Sequence, residues 1–251
     1  VHHQSRRWRL GFNGLLLAAL LILTTMMVPW FQHFTGCLTY PFQVDAEEGF
    51  IFHQAVSLAQ GESIYRPIDT PPFLVANYPP LYPWIYSLVN GDRIDHRSLP
   101  RGRAIVVVFT FGAALGMALI LLITTGRWLP ALLAPMLFLV TYEVNQWVGY
   151  ARVDLPSIFF TVAGLAIFLV STRRWALVIS ALLFVCAAWC RQTALAAPAA
   201  CLLVLLLRDR RALAWFAVPY AVIGLSIFFW INAATEGQLY LHLVTYNRNV
   251  M

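Results

Sequence analysis

Acidic side chains that could act on a substrate hydroxyl are grouped at Asp45, Glu47 and Glu48, shortly after the first apolar run of the sequence. A positioned carboxylate can take a proton from a hydroxyl group and so act as a general base. The same residues also fit a simpler role, because Asp45 and Glu48 have the spacing of a capping box and acidic groups stabilise the start of a helix. Both interpretations, general base and helix cap, stay open from sequence alone.

A second pair of charges, Arg152 and Asp154, precedes another apolar run, and Arg191 with Gln192 separates two further runs. Ionisable groups at a membrane edge are costly to dehydrate, which makes them functional candidates, and the planar fork of Arg suits a phosphate. The structural alternatives are that Asp154 caps a helix, that Arg152 extends to the interface and that Arg191 contacts ordinary lipid headgroups. If these groups lie close together, we expect a carboxylate to act as general base and an arginine to stabilise the charge that develops on a lipid phosphate.

The composition requires membrane helices to position these residues. Of the 251 residues, 60% are hydrophobic and 11% are charged, whereas a soluble domain carries about a quarter charged residues. The apolar runs are continuous rather than alternating, which excludes a barrel and predicts an all-α polytopic membrane protein. Seven apolar runs predict about seven transmembrane helices: 10–30, 104–125, 129–147, 155–172, 175–190, 193–207 and 212–232. The third, fifth and sixth runs are short enough for their helices to be tilted, broken or re-entrant.

The distribution of Arg predicts how these helices are oriented. Short Arg-bearing segments fall on one side, which the positive-inside rule makes the cytoplasm: Arg6, Arg7, Arg9, Arg127, Arg173, Arg174, Arg208, Arg210 and Arg211. A multi-pass protein of the cell membrane with a cytoplasmic N-terminus is therefore expected. The net charge of +6 then reflects the arginines that set the membrane orientation. It does not indicate a nucleic-acid partner.

The long segment 31–103 is expected to be an ordered first extracytoplasmic loop with two interfacial helices. One helix begins after Asp45, ends at Gln60 and presents an apolar face of Ile51, Ala55, Leu58 and Ala59. The other covers 80–89, with interfacial aromatic side chains at Tyr82, Trp84 and Tyr86. The whole chain, 1–251, is expected to form a single transmembrane module.

The order of four motifs resembles the GT-C fold glycosyltransferases, in the branch of protein O-mannosyltransferases and the lipid A aminoarabinose transferase. The motifs are Asp45-Ala-Glu47-Glu48-Gly49-Phe50, Asn77-Tyr78-Pro79-Pro80-Leu81-Tyr82-Pro83, Arg152-Val153-Asp154 and Arg191-Gln192-Thr193. The resemblance implies an inverting transferase that takes a sugar from a polyprenyl-phosphate donor on the extracytoplasmic face. The acceptor would be a glycan, lipid or protein. Because the family has further spans, we expect this chain to be the N-terminal portion of a longer protein.

The resemblance also implies roles for the acidic residues. By position, Asp45 looks like the first-loop catalytic carboxylate and Asp154 like the second-loop acidic residue. Glu47 or Glu48 could instead fill the first role. Several family members carry Asp and Glu next to each other at this position, whereas Ala46 separates Asp45 from Glu47 in this chain.

Substrate-binding roles follow from the same resemblance. Tyr78 would line the donor cavity and Arg191 would lie beside the lipid phosphate, with Arg152 and Gln192 as further substrate contacts. Some members require a divalent metal, Mg²⁺ or Mn²⁺, and others do not. The sequence shows no decisive set of metal ligands, and no cofactor is certain.

Two other classes of protein compete with this interpretation. In a transporter or lipid flippase, the same charges would line a pathway rather than catalyse. The charges cluster at the outer rim, however, whereas a pathway needs polar groups at the membrane midplane. In a non-catalytic scaffold, the loop would bind a partner, and Asp45 and Asp154 could be replaced without loss of activity.

Overall fold

The computed structural model describes residues 2–171 and 173–248, with side chains from residue 14 onward. Position 172, at the end of the fourth predicted span, and the side chains of Arg6, Arg7 and Arg9 lie outside what is described. All regular elements of the described part are helical. They are α1 (His2–Thr39), α2 (Ala46–Ala59), α3 (Leu81–Asn90), α4 (Ser98–Thr125), α5 (Trp128–Val140), α6 (Tyr142–Trp147), α7 (Asp154–Val170), α8 (Arg174–Cys190), α9 (Ala196–Arg208), α10 (Arg210–Ala234), α11 (Gln238–Tyr240) and a π-helix at Leu241–Thr245.

Three helices are long and apolar enough to cross a membrane: Gly14–Thr39 within α1, α4 and α10. Four shorter apolar helices, α5, α7, α8 and α9, account for the other predicted runs. The third run is broken, because Thr141 is extended between α5 and α6. The fourth was expected to approach full length, but α7 ends at Val170, where Ser171 turns to an extended backbone.

Helix α7 lies at the centre of the bundle, between α4 and α8. Glycines allow this close packing. A side chain at Gly112 of α4 would meet the ring of Phe159, and one at Gly164 of α7 would crowd Phe184 of α8. Helices α1 and α5 pack beside α4, and α10 packs on α8 and α9. The central position of α7 places its first residue, Asp154, between the two halves of the bundle.

The segment between α1 and α4 folds back on the bundle through α2 and α3, and we call this end of the helices the loop end. Helix α2 packs Ile51 and Ala55, which were predicted to face the membrane surface, against protein instead. Leu58 is half-buried and Ala59 is exposed in the last turn of the helix. Polar residues of α2 are buried in their place, because this helix packs against protein.

Two of the three aromatic side chains predicted to be interfacial are instead fully buried. Tyr82 donates a hydrogen bond to the carbonyl of Gly102 at 3.0 Å, and Tyr86 donates one to the carbonyl of Ser98 at 2.6 Å. A Cβ at Gly102 would lie 2.5 Å from the Tyr86 ring, so glycine is needed where α3 meets α4. Only Trp84 is exposed, as expected of an interfacial residue.

The segment after α10 returns to the loop end and is fixed there by His242. This buried imidazole accepts a hydrogen bond from the Ala76 amide at Nδ1 (2.9 Å) and donates one from Nε2 to the carbonyl of Arg66 (2.7 Å). These two bonds require the neutral ring, and burial lowers the pKa of His242 against the opposing effect of the Arg66 carbonyl. Residues of the π-helix thereby pack against the loop between α2 and α3.

Candidate functional site

Arg152 is the centre of a charged cluster at the loop end. Its Nη1 lies 2.8 Å from Asp45 Oδ2, its Nη2 lies 2.8 Å from Glu47 Oε2, and its Nε lies 3.1 Å from Asp154 Oδ2. The guanidinium also lies over the ring of Trp147, 5.1 Å from its centroid. With 14% of its side chain exposed, Arg152 is engaged in ion pairs rather than extended to the interface.

Two helices, α2 and α7, deliver the acidic groups to this cluster. Asp45 is the N-cap residue of α2, and Glu47 lies in the first turn of the same helix. Asp154 is the first residue of α7 and Val153 stands at the N-cap, so the alternative in which Asp154 caps the helix is not the one observed. Asp45 therefore stands at the N-cap of α2 and also pairs with Arg152, whereas Asp154 contributes ion pairs without standing at the N-cap.

Arg191 extends the cluster through Asp154. Its Nη1 contacts Asp154 Oδ1, so the two carboxylate oxygens of a side chain that is 1% exposed are held by two different guanidinium groups. Arg191 follows the last residue of α8, and its side chain is 37% exposed. In the described part of the chain, Arg191 has no second acidic partner, which leaves part of its donor fork open to solvent.

Tyr78 joins the cluster from the segment between α2 and α3. Its hydroxyl donates a hydrogen bond to Glu47 Oε2 at 3.1 Å. Burial and the charge of Glu47 raise the pKa of Tyr78 against the opposing effect of Arg152 and Arg191, so the phenol keeps its proton at neutral pH. The backbone is fixed at this point because Tyr65 donates a hydrogen bond to the Tyr78 carbonyl at 3.0 Å.

Gln192 lies at the rim of the cluster and does not enter it. Its amide donates a hydrogen bond to the carbonyl of Asn77 at 2.9 Å, and Asn247 donates another to the same carbonyl at 3.0 Å. The segment after α10, the end of α8 and the loop that carries Tyr78 are thereby joined.

Glu48 lies below the cluster in a separate and fully buried ion pair with Arg103. The pair is bidentate, with Arg103 Nε on Oε1 and Nη2 on Oε2, both at 2.8 Å. Glu48 also accepts hydrogen bonds from the backbone amides of Val44 and Ala151. Burial acts to raise the pKa of Glu48, but the hydrogen bonds from Arg103 and these amides outweigh it and the pKa is lowered. Glu48 is thus an anion buried away from solvent, with both carboxylate oxygens paired with Arg103.

Arg103 is the residue that the sequence analysis missed. Besides Glu48, it donates to the carbonyls of Cys37, Tyr40 and Phe42, and so ties the end of α1 to α2 and α4. The available signal was an ionisable residue inside the first turns of an apolar helix, which is costly unless paired.

An apolar groove of about 470 Å³ lies on the surface of the bundle. Its lining includes Pro79 and Gln192, which follow Tyr78 and Arg191 directly in the sequence. The groove then follows the surfaces of α8 and α10 over Ala188, Trp189, Tyr220, Gly224 and Phe228. Nearly all of its lining is apolar, as is typical of ligand pockets.

The carboxylates of the cluster are not arranged as a metal site. In residues 2–171 and 173–248, no three side chains of His, Cys, Asp and Glu are placed to hold one metal ion. The carboxylates of Asp45, Glu47 and Asp154 are instead paired with the guanidinium of Arg152. A divalent metal does not fit these residues as they stand.

No family model matches the chain, and neither the curated proteins nor the solved structures contain a match.

Proposed function

We propose that the protein is a membrane glycosyltransferase that moves a sugar from a polyprenyl-phosphate donor to an acceptor hydroxyl, with inversion at the sugar carbon. The observation that carries the proposal is the cluster in which Asp45, Asp154 and Arg191 meet around Arg152 beside an apolar groove. The resemblance of the four motifs to the GT-C fold enzymes supports the same conclusion.

The proposal places seven helical segments across the membrane: α1, α4, the broken pair α5 and α6, α7, α8, α9 and α10. At 1.5 Å per residue, the 17 residues of α7 and of α8 span about 25 Å, the lower end of what a bilayer requires. The 13 residues of α9 are shorter still, and a locally thinned bilayer accommodates such a segment at modest cost. In this topology the loop end faces away from the cytoplasm.

The donor would bind with its phosphate at Arg191 and its polyprenyl chain in the groove. The half-exposed guanidinium of Arg191 has donor groups that Asp154 does not use, and phosphate accepts such a fork bidentately. The groove lining offers apolar surface to the chain. When the sugar leaves, charge grows on the phosphate, and Arg191 stabilises that charge in the transition state.

Asp45 is the general base in this proposal. It is 29% exposed at the cluster surface, whereas Asp154 is buried and held by two guanidinium groups. Asp45 takes the proton of the acceptor hydroxyl while the acceptor oxygen bonds to the anomeric carbon. The bond from that carbon to the phosphate oxygen breaks, and its electron pair leaves with the polyprenyl phosphate. Attack opposite the leaving group inverts the anomeric carbon.

The other acidic residues hold the cluster in shape. Glu47 is exposed like Asp45, but it accepts the Tyr78 hydroxyl and pairs with Arg152. Asp154 pairs with both Arg152 and Arg191 and so fixes the two guanidinium groups relative to each other. Glu48 is excluded as a base because it is fully buried and both of its oxygens are occupied by Arg103.

The experiment is sugar transfer by the purified full-length protein in liposomes with radiolabelled polyprenyl-phosphate sugars. We expect labelled product of inverted configuration and free polyprenyl phosphate. Arg191→Ala should lose most of the transfer, whereas Arg66→Ala, which removes an exposed pair with Glu62, should not. Movement of intact labelled lipid between leaflets without cleavage would contradict the proposal and indicate a flippase.

A further inference from the structure

A second apolar groove, of about 940 Å³, lies at the end of the bundle opposite to the loop end. Helix α4 runs away from the loop end and finishes at Thr125, and α5 starts back after only Gly126 and Arg127. Leucines of α1, α4 and α5 line the groove, among them Leu17, Leu121, Leu133 and Leu137. Because Arg127 and Trp128 belong to the same lining, we call it the Arg127 groove. It combines apolar surface with one permanent cation.

The cation of Arg127 has no acidic partner in the helices around it. None of α1, α4 and α5 contains Asp or Glu. Among the side chains that the structure describes, the guanidinium of Arg127 forms no ion pair. Asp209, on another helix, caps α10 by accepting from the amides of Arg211 and Ala212. The donor fork of Arg127 is therefore available to an anion from outside the chain.

The start of α5 favours an anion at the same place. The first turn of this 13-residue helix contains no acidic residue, and its N-cap residue, Arg127, makes no side-chain cap hydrogen bond. The first amides of a helix lack intrahelical acceptors and lie at the positive end of its dipole. Arg127 adds a full positive charge to this helix end, and the groove adds apolar surface beside it.

We infer that the Arg127 groove binds a glycerophospholipid of net negative charge, with an acyl chain along its leucines and the phosphate at Arg127. Phosphate accepts the planar donor fork of Arg bidentately. Trp128, which is 65% exposed beside Arg127, is of the residue type that lies at the level of lipid headgroups.

A net negative charge is preferred because of what the groove lacks. A zwitterionic phospholipid carries an ammonium group besides its phosphate, and α1, α4 and α5 offer no carboxylate to that group. The inference goes beyond the proposed function, and its test needs no transfer activity.

The test measures by native mass spectrometry which lipids stay bound to the purified full-length protein. Phosphatidylglycerol and phosphatidylcholine with identical acyl chains are added in equal amounts. Arg127→Gln removes the cation, and Leu17→Trp fills the groove with a larger side chain at an exposed position. The matched control is Arg208→Gln, which removes an exposed arginine at the same end of the bundle outside the groove.

We expect wild type to bind phosphatidylglycerol at least about fivefold more tightly than phosphatidylcholine, the preference that one arginine near an anionic headgroup provides. Arg127→Gln should remove this preference. Leu17→Trp should weaken the binding of both lipids, because the chain then loses its place. Arg208→Gln should behave as wild type does.

Equal affinity of the two lipids for wild type would overturn the inference, as would a folded Arg127→Gln variant that keeps the preference. Loss of the preference in Arg208→Gln as well would also overturn it, because the attraction would then belong to the whole end of the bundle. If Arg127→Gln does not fold, wild type and Leu17→Trp decide, and undiminished binding in Leu17→Trp contradicts the inference. Absence of sugar transfer would count against the proposed function alone.

Discussion

Asp45 at the start of α2 and Asp154 at the start of α7 bind the same guanidinium, at 2.8 Å and 3.1 Å from two different nitrogens of Arg152. The two acidic residues belong to parts of the chain that meet only when the long loop docks on the helix bundle. The cluster is therefore a product of tertiary packing, and changes that loosen the loop should act on it at a distance.

The buried pair of Glu48 and Arg103 should be the most sensitive point for stability. Glu48→Gln leaves the Arg103 charge without a counter-ion in a fully buried place, which costs about 3–5 kcal/mol of unfolding free energy. Thermal unfolding in detergent measures the effect. The double variant Glu48→Met/Arg103→Met should recover part of the loss, because no charge then remains buried. A single Glu48→Gln variant as stable as wild type would contradict the assigned role.

Tyr78→Phe should affect transfer more than stability. The variant removes the hydrogen bond to Glu47 at the cluster surface, so we expect transfer to fall about tenfold, equal to ~1.4 kcal/mol. Tyr82→Phe is the matched control, because it removes a buried hydrogen bond to the Gly102 carbonyl away from the cluster. That variant should lower the unfolding temperature and leave transfer by the folded protein intact. The opposite pattern would show that Tyr78 has no part in the site.

His242 should make stability depend on pH below neutrality. Burial lowers the pKa of its imidazole from the ordinary 6.5, so the unfolded chain binds a proton at a pH where the folded protein does not. Its contribution is complete above about pH 7 and is lost as the pH falls from 6.5 toward the folded pKa. We predict that unfolding temperatures decrease over this range in wild type. The decrease should be smaller in His242→Gln, and an equal decrease in both would refute the assignment.

The seven-segment topology can be measured by labelling single cysteines in intact cells with a membrane-impermeant maleimide. Asp69 is exposed in the long loop, and Asp69→Cys should react without lysis. Arg127→Cys and Arg208→Cys, at the opposite end of the bundle, should react only after lysis. The four native cysteines are replaced first. Reaction of all three positions from the same side would exclude the proposed arrangement.

The sequence predicts the helices well, because apolar runs of membrane length have few alternatives to helix. It predicts less well where each helix stops. No Gly or Pro marks the break at Thr141 between α5 and α6. Helix α7 ends at Val170, two residues before the predicted end of the fourth run, where the sequence turns polar at Ser171.

The candidate site shows a sharper limit of sequence reasoning. Asp45, Arg152, Asp154 and Arg191 could each be selected because charged residues at the ends of apolar runs are rare and costly. Which of them touch, and that Glu48 pairs with Arg103 instead, depends on the docking of α2. Tyr82 and Tyr86 were misassigned for the same reason, because periodicity does not distinguish a face covered by protein from one covered by lipid.

The most direct test of the account compares sugar transfer by Asp45→Asn and Asp154→Asn with that of Asp95→Asn. Asp95 is a loop carboxylate paired with Arg101 outside the cluster, and it serves as the matched control. With all three proteins folded and supplied with polyprenyl-phosphate sugars, the account predicts loss of transfer by a factor of about 10² or more in the first two variants. Transfer by Asp95→Asn should equal that of wild type. Wild-type rates in both Asp45→Asn and Asp154→Asn would contradict the central claim that this cluster carries the reaction.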